Sequence, residues 1–263
     1  MKRKYIPSNI FLCSLIALIF LSSVSYAAHP LITDDTETQG KGKFQVEVNG
    51  QYDYDKETEN GVTTIETGRE VASILSYGIT DNIDVVLCLP YQWNKTRVGE
   101  GISSAENGIS DLSVELKWRF YEKDGLRFAL KPGFILPTGD DEKGLGTGRA
   151  TYSAYFITTK EIGPWAFHLN LGYMRNENRV DERKDMWHAS VASEVKLIDK
   201  LKLVTNIGMV KNHDKTSKTD PAFLLGGVIY SITDAFDIDF GLKAGLNAPE
   251  ADYSILAGTV FRF

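Results

Sequence analysis

Residues Asp111–Leu136 read DLSVELKWRFYEKDGLRFALKPGFIL, two arms of alternating polarity around a turn. In the first arm Leu112, Val114, Leu116, Trp118 and Phe120 share one face, and Asp111, Ser113, Glu115, Lys117 and Arg119 share the other. Strict period two over this length specifies a strand, because a helix would mix the two sets. The second arm sets Leu126, Phe128, Leu130, Phe134 and Leu136 against Arg127, Ala129 and Lys131. Lys123-Asp124-Gly125 predicts a three-residue loop with glycine at its left-handed position. That loop would pair Phe120 with Phe128 and Trp118 with Leu130, and would put Glu115 one diagonal step from Lys131, within reach of an ion pair.

A soluble sheet also has one apolar face, so the ends of the arms decide. Trp118 and Phe120 stand beside the turn, Phe134 near the far end, and aliphatic residues between them. That is the lipid-facing pattern of a membrane barrel, with aromatic residues at the two interfaces.

The unit recurs from Phe44 to Phe263 in about twelve strands. Connections after odd strands are long and polar, and those after even strands are short. The expectation is an all-β, transmembrane, antiparallel up-and-down β-barrel with short periplasmic turns, longer external loops and both ends on the periplasmic side. Pro90 lacks a ladder donor and counts against a regular strand there. Residues 94–108 read as a long loop, and residues 222–231 are apolar on both faces, which leaves their orientation open.

Ahead of the barrel, Met1–Lys4 carries three basic residues, Ile10–Val24 is apolar, and Ser25-Tyr26-Ala27 offers small residues to a signal peptidase. Residues 1–27 therefore read as a secretory signal peptide, since the apolar run is shorter than the ~20 residues of a membrane span. Residues 28–43 read as a polar periplasmic lead-in, and residues 44–263 as the barrel. Cleavage would move the net charge from −6 to −9, which excludes a nucleic-acid partner. Cys88 would then be the only cysteine, so no internal disulfide is expected.

The inward face holds the candidate functional residues: Glu47, Glu70, Glu115, Lys117, Arg119, Arg127, Lys131, His168, Glu194 and Asp237, with apolar interludes at Val86, Ile135, Leu256 and Val260. Most such residues fill and cross-link a barrel interior. His168 and His188 point inward on adjacent strands but differ in height by roughly 15 Å at ~3.3 Å per residue, so they do not share an ion. Glu194 is the nearer partner for His168. Asp53-x-Asp55-x-Glu57 departs from a calcium loop at Thr58 and Thr64, and the glycines at 144, 146 and 148 precede no helix. No Gly-x-Ser-x-Gly, His-Glu-x-x-His or Cys-x-x-Cys pattern occurs. No catalytic, cofactor or metal site is predicted, and the chain does not read as an enzyme.

His29-Pro30-Leu31-Ile32-Thr33-Asp34-Asp35, Ser76-Tyr77-Gly78-Ile79-Thr80-Asp81, Gly108-Ile109-Ser110-Asp111-Leu112 and Leu136-Pro137-Thr138-Gly139-Asp140 together resemble the transporter-like outer-membrane barrels grouped by a meta-pathway of phenol degradation. The resemblance covers the mature chain and implies passive passage of small, aromatic or moderately apolar molecules, with no shared catalytic residues. Phe263 resembles the C-terminal aromatic read by the barrel-assembly machinery of Gram-negative bacteria. The implied surroundings are the lipid and lipopolysaccharide of the outer membrane. A plugged or structural barrel, or a barrel enzyme such as a lipase, is the alternative. Deleting Phe263 should lower the folded barrel recovered from outer membranes while signal cleavage stays normal; wild-type levels would remove Phe263 as an assembly signal.

Overall fold

The computed structural model describes residues 29–263, and the expected signal peptide lies outside them. The strands are β1 Phe44–Glu59, β2 Val62–Thr80, β3 Ile83–Val98, β4 Gly101–Ile109, β5 Leu112–Lys123, β6 Leu126–Leu136, β7 Thr151–Ile162, β8 Trp165–Arg175, β9 Asp185–Ile198, β10 Leu201–Val210, β11 Ala222–Thr233, β12 Phe236–Gly245 and β13 Tyr253–Arg262. All neighbours are antiparallel. β1 pairs with both β2 and β13, and the β2–β3 pairing closes the sheet into a barrel.

Thirteen strands make twelve staves. β3 pairs with β5 from Ile83 to Cys88 and with β4 from Tyr91 to Val98, so β4 and β5 lie end to end. The break at Ser110-Asp111 faces Leu89-Pro90, where proline has no N–H to give to the ladder. The expected loop over residues 94–108 is thus a correction: it is the end of β3, a turn, and β4. Likewise β1 and β2 continue to a two-residue turn at Asn60-Gly61. At 16 to 19 residues, β1, β2 and β3 exceed the ~9–11 residues that cross a bilayer, so their outer ends stand in water. Both faces there are wet, and no apolar alternation marks them as strands.

The opening hairpin turns over Asp124-Gly125 alone, both with positive φ (50° and 71°), as a type I′ turn requires. Lys123 pairs with Leu126, one residue tighter than expected. A bulge between Arg119 and Tyr121 absorbs the difference: Tyr121, not Phe120, faces Phe128, while Trp118 faces Leu130 as expected.

Outside, aliphatic residues such as Leu116, Leu130, Val191 and Leu203 form an exposed belt. Aromatic contacts border it. On the short-turn side they include Phe44–Tyr77, Trp118–Phe120, Trp165–Phe167 and Phe236–Phe261. On the far side they include Tyr54–Tyr253, Tyr91–Trp93 and Phe134–Tyr152. Substituting Leu116 with Arg on this belt should cost ~2–4 kcal/mol near the midplane, whereas inward Ser113→Arg should cost far less. Folded yield on a heat-modifiability gel tests this, and equal losses would contradict the assigned faces.

Candidate functional site: a lumen threaded by the N-terminal segment

The lead-in expected outside the barrel runs into it. Its entry is fixed where Gly42 donates to the Gly78 carbonyl (2.8 Å) and Gly78 to that of Lys43 (3.0 Å). A Cβ on Gly78 would overlap the Gly40 carbonyl oxygen, so only glycine admits this approach. Further in, the Gln39 N–H donates to Asp84 (2.9 Å). Glu37 pairs with Arg127 and, at 3.6 Å, with Arg119, while the Thr36 N–H donates to Thr159 (3.1 Å).

Asp34 lies fully buried between two wall lysines. Its Oδ1 accepts from Lys117 Nζ at 2.9 Å and its Oδ2 from Lys131 Nζ at 2.8 Å, with the Asp34 and Lys131 side chains each 1% exposed. Lys117 also reaches Asp35 (3.1 Å), and Lys131 reaches Glu115 (3.2 Å), the diagonal ion pair expected from the hairpin. Asn170 clasps the Asp34 backbone, accepting from its N–H at 2.6 Å and donating to its carbonyl at 2.8 Å. Burial alone would raise the Asp35 carboxyl, but Lys117, then His168, more than offset it and hold it below the usual carboxylate range.

Beyond Asp34 the segment crosses to the opposite wall. Asn206 accepts from the N–H groups of Ile32 (2.8 Å) and Thr33 (3.0 Å), and the Thr33 hydroxyl donates to Ser190 (2.7 Å). Leu31 packs with Ala192, Val204, Phe223, Leu225, Ile229 and Leu256. This contact resolves the strand over residues 222–231: Phe223, Leu225 and Ile229 face an apolar part of the segment, while Leu224 and Tyr230 face out. The inward glycines Gly227, Gly241 and Gly258 leave a hollow that receives Pro30 and His29, and His29 binds Asp239.

The sequence-predicted residues divide by what they meet. Glu115, Lys117 and Lys131 converge on Asp34, and Arg119 and Arg127 on Glu37. His168 lies 3.6 Å from Glu194, which also takes Lys202 at 2.9 Å. His188 instead contacts Ser190 (2.8 Å). Asp237 pairs with Arg262, and Glu47 accepts from Gln45 and Asn49; neither bonds to Asp34. Glu70 accepts from Gln92 (2.8 Å) and lines a separate space. Asp53-x-Asp55-x-Glu57 lies on β1, not on a loop, and Asp53 binds Ser254. Asp34, Asn206 and Asn170 were missed. Their trace in the sequence is the Leu31-Ile32 pair in a polar lead-in, matched to a strand apolar on its inner face.

The long connection after β6 also folds inward. Asp111, at the wall break, accepts from the Gly139 N–H (2.9 Å), the Thr147 N–H (2.8 Å) and the Thr147 hydroxyl (2.9 Å), and Leu145 is buried. Between this loop and the Asp34 cluster lies a cavity of about 80 Å³, lined by Glu70, Glu115, Tyr155 and His213 among others.

The model of the family described as "Putative MetA-pathway of phenol degradation" matches residues 29–263. No curated protein matches the chain. Among solved structures, the chain is similar to an outer membrane channel from Pseudomonas putida F1 at 16% identity and TM-score 0.67, covering 87% of this chain and 98% of that one. It also resembles the translocator domain of the autotransporter NalP from Neisseria meningitidis (12% identity, TM-score 0.53, 87% and 91% covered). A third likeness is to the NanC porin (11% identity, TM-score 0.53, 82% and 98% covered). At these identities the likeness establishes the outer-membrane barrel fold.

Lys131→Met would leave Asp34 and Glu115 without a shared ammonium, and removing one partner of a buried pair costs ~3–5 kcal/mol. Residues 29–39 should then gain protease sensitivity while the barrel keeps its heat-modifiable mobility. Wild-type resistance would show that Lys131 does not hold the segment.

Proposed function

The chain belongs to that family, and we propose that it is an outer-membrane channel for small organic molecules, closed in its periplasmic half by its own residues 29–39. The carrying observation is Asp34 held between Lys117 and Lys131, which fastens the segment across the lumen. The channel and porin titles of its structural neighbours support the same reading, and the family description supports solutes with an aromatic or apolar body. The barrel sits in outer-membrane lipid and lipopolysaccharide and is assembled by the machinery that reads Phe263.

Two of the four apolar inward residues have other uses. Leu256 packs on Leu31, and Val86 packs with Ala72, Ile74 and Cys88. An apolar solute is therefore supported by the family description more than by the lumen.

A lipid-facing hydrolase is disfavoured. His29, His168 and His188 are buried on the lumen side, and Ser190, beside His188, takes the Thr33 hydroxyl. Passage without chemistry is the reading the lumen supports.

In planar bilayers the full chain should show low ionic conductance. Deleting residues 29–39 should raise it several-fold, and liposomes carrying the deleted form should pass small aromatics faster. Unchanged conductance after the deletion would overturn the plug, and no aromatic flux through either form would overturn the channel.

A further inference from the structure

The N-terminal segment is itself a ligand of the wall, and it occupies two seats of different chemistry. The first is a carboxylate seat. Asp34 divides its two oxygens between Lys117 (2.9 Å) and Lys131 (2.8 Å), whose side chains are only 10% and 1% exposed. Lys131 is shared with Glu115 of the wall, whereas Lys117 makes both of its ion pairs among the described residues with the segment, to Asp34 and Asp35. Asp84, across the β3–β5 ladder from Lys117, accepts from the Gln39 N–H of the same segment. The second seat is apolar and lies on the opposite wall, where Leu31 packs with Phe223, Leu225 and Leu256. Leu31 and Asp34 stand three residues apart, a reach of at most roughly 11 Å.

From this we propose that the two seats form the solute site of the channel, and that the solute is an organic acid with an apolar body, which takes the places of Asp34 and Leu31 as it passes. The proposal rests on the channel reading and narrows its substrate class. A solute carboxylate offers Lys117 and Lys131 the same acceptors as Asp34, and charge-assisted bonds of this kind are stronger than neutral ones. Its apolar part covers the surface that Leu31 leaves. An amine of equal size meets two ammonium groups, so repulsion selects against it. A neutral alcohol keeps the apolar contacts and loses the charge-assisted bonds. The segment is tethered and competes at an effective concentration on the order of millimolar. Acid and segment therefore exclude each other, and the acid favours the form with the segment unseated.

The test uses the purified full-length barrel, with 4-phenylbutyrate, 4-phenylbutanol and 4-phenylbutylamine as probes. Protease cleavage within residues 29–39 is timed at rising concentrations of each. The acid should speed cleavage several-fold at concentrations where the alcohol and the amine do not. Asp34→Ala removes the competing carboxylate. In equilibrium dialysis with matched detergent it should bind the acid at least tenfold more tightly than the wild type does, and at least tenfold more tightly than it binds the alcohol. Adding Lys117→Met should erase that preference and leave alcohol binding unchanged, with heat-modifiable mobility as the check that each variant is folded. Cleavage that all three probes speed equally, or that none speeds, would overturn the site. So would equal binding of acid and alcohol by Asp34→Ala, or a folded double variant that keeps the preference. Liposome flux is measured separately. Equal flux of the three probes without the binding preference would reject this inference and leave the channel standing. The binding preference without flux of any probe would keep the site and reject the channel.

Discussion

Two ammonium groups on neighbouring staves, Lys117 of β5 and Lys131 of β6, point into the same buried space. Buried lysines are tolerated only when paired, and like charges this close repel each other. Glu115 on the wall answers one of them. Asp34 answers both, and Asp35 adds a second carboxylate to Lys117. The wall is therefore electrostatically complete only with the N-terminal segment inside it. Residues 29–39 belong to the barrel's interior as much as any strand does.

That dependence explains features that look unrelated along the chain. Gly78 admits the entering backbone, and Gly227, Gly241 and Gly258 make room for its far end. Asn206 and Asn170 satisfy N–H groups that a segment without regular structure brings into a buried space. Phe223, Leu225 and Ile229 turn apolar side chains toward a lumen where polar ones are the rule, because Leu31 lies there.

The barrel was legible because lipid imposes a pattern on the sequence. Wherever one face of a strand meets hydrocarbon, as at Leu116 or Leu203, alternation is strict and the strand can be read. The same logic explains the losses. Above the membrane, β4 and the outer ends of β1 to β3 meet water on both sides, so residues 94–108 looked like a loop. The Glu115–Lys131 and His168–Glu194 neighbours followed from register, which is local information. Asp34 lies 83 residues from Lys117 and 97 from Lys131, and no periodicity links such distant positions. The hairpin bulge near Phe120 was hidden for a smaller reason: a two-residue turn plus a bulge presents the same residues outward as the expected three-residue loop at Trp118 and Leu130.

The size of the barrel leaves room for the internal arrangement. Eight staves enclose a space that wall side chains can fill, whereas sixteen or more leave an aqueous channel. Twelve lie between: too wide to fill from the wall, and narrower than the barrels that keep an open aqueous channel. Here the space is divided from its two ends. The N-terminal segment enters past Gly78, and the β6–β7 loop enters from outside, fixed to Asp111 at the wall break beside Pro90. Each insert takes its polar partners from the wall, and the inner one consumes Lys117, Lys131, Arg119 and Arg127. What remains between them is a cavity bordered by Glu70, Asp111, Glu115 and His213. The seating of the N-terminal segment thus follows from where the wall places its basic groups along the barrel axis.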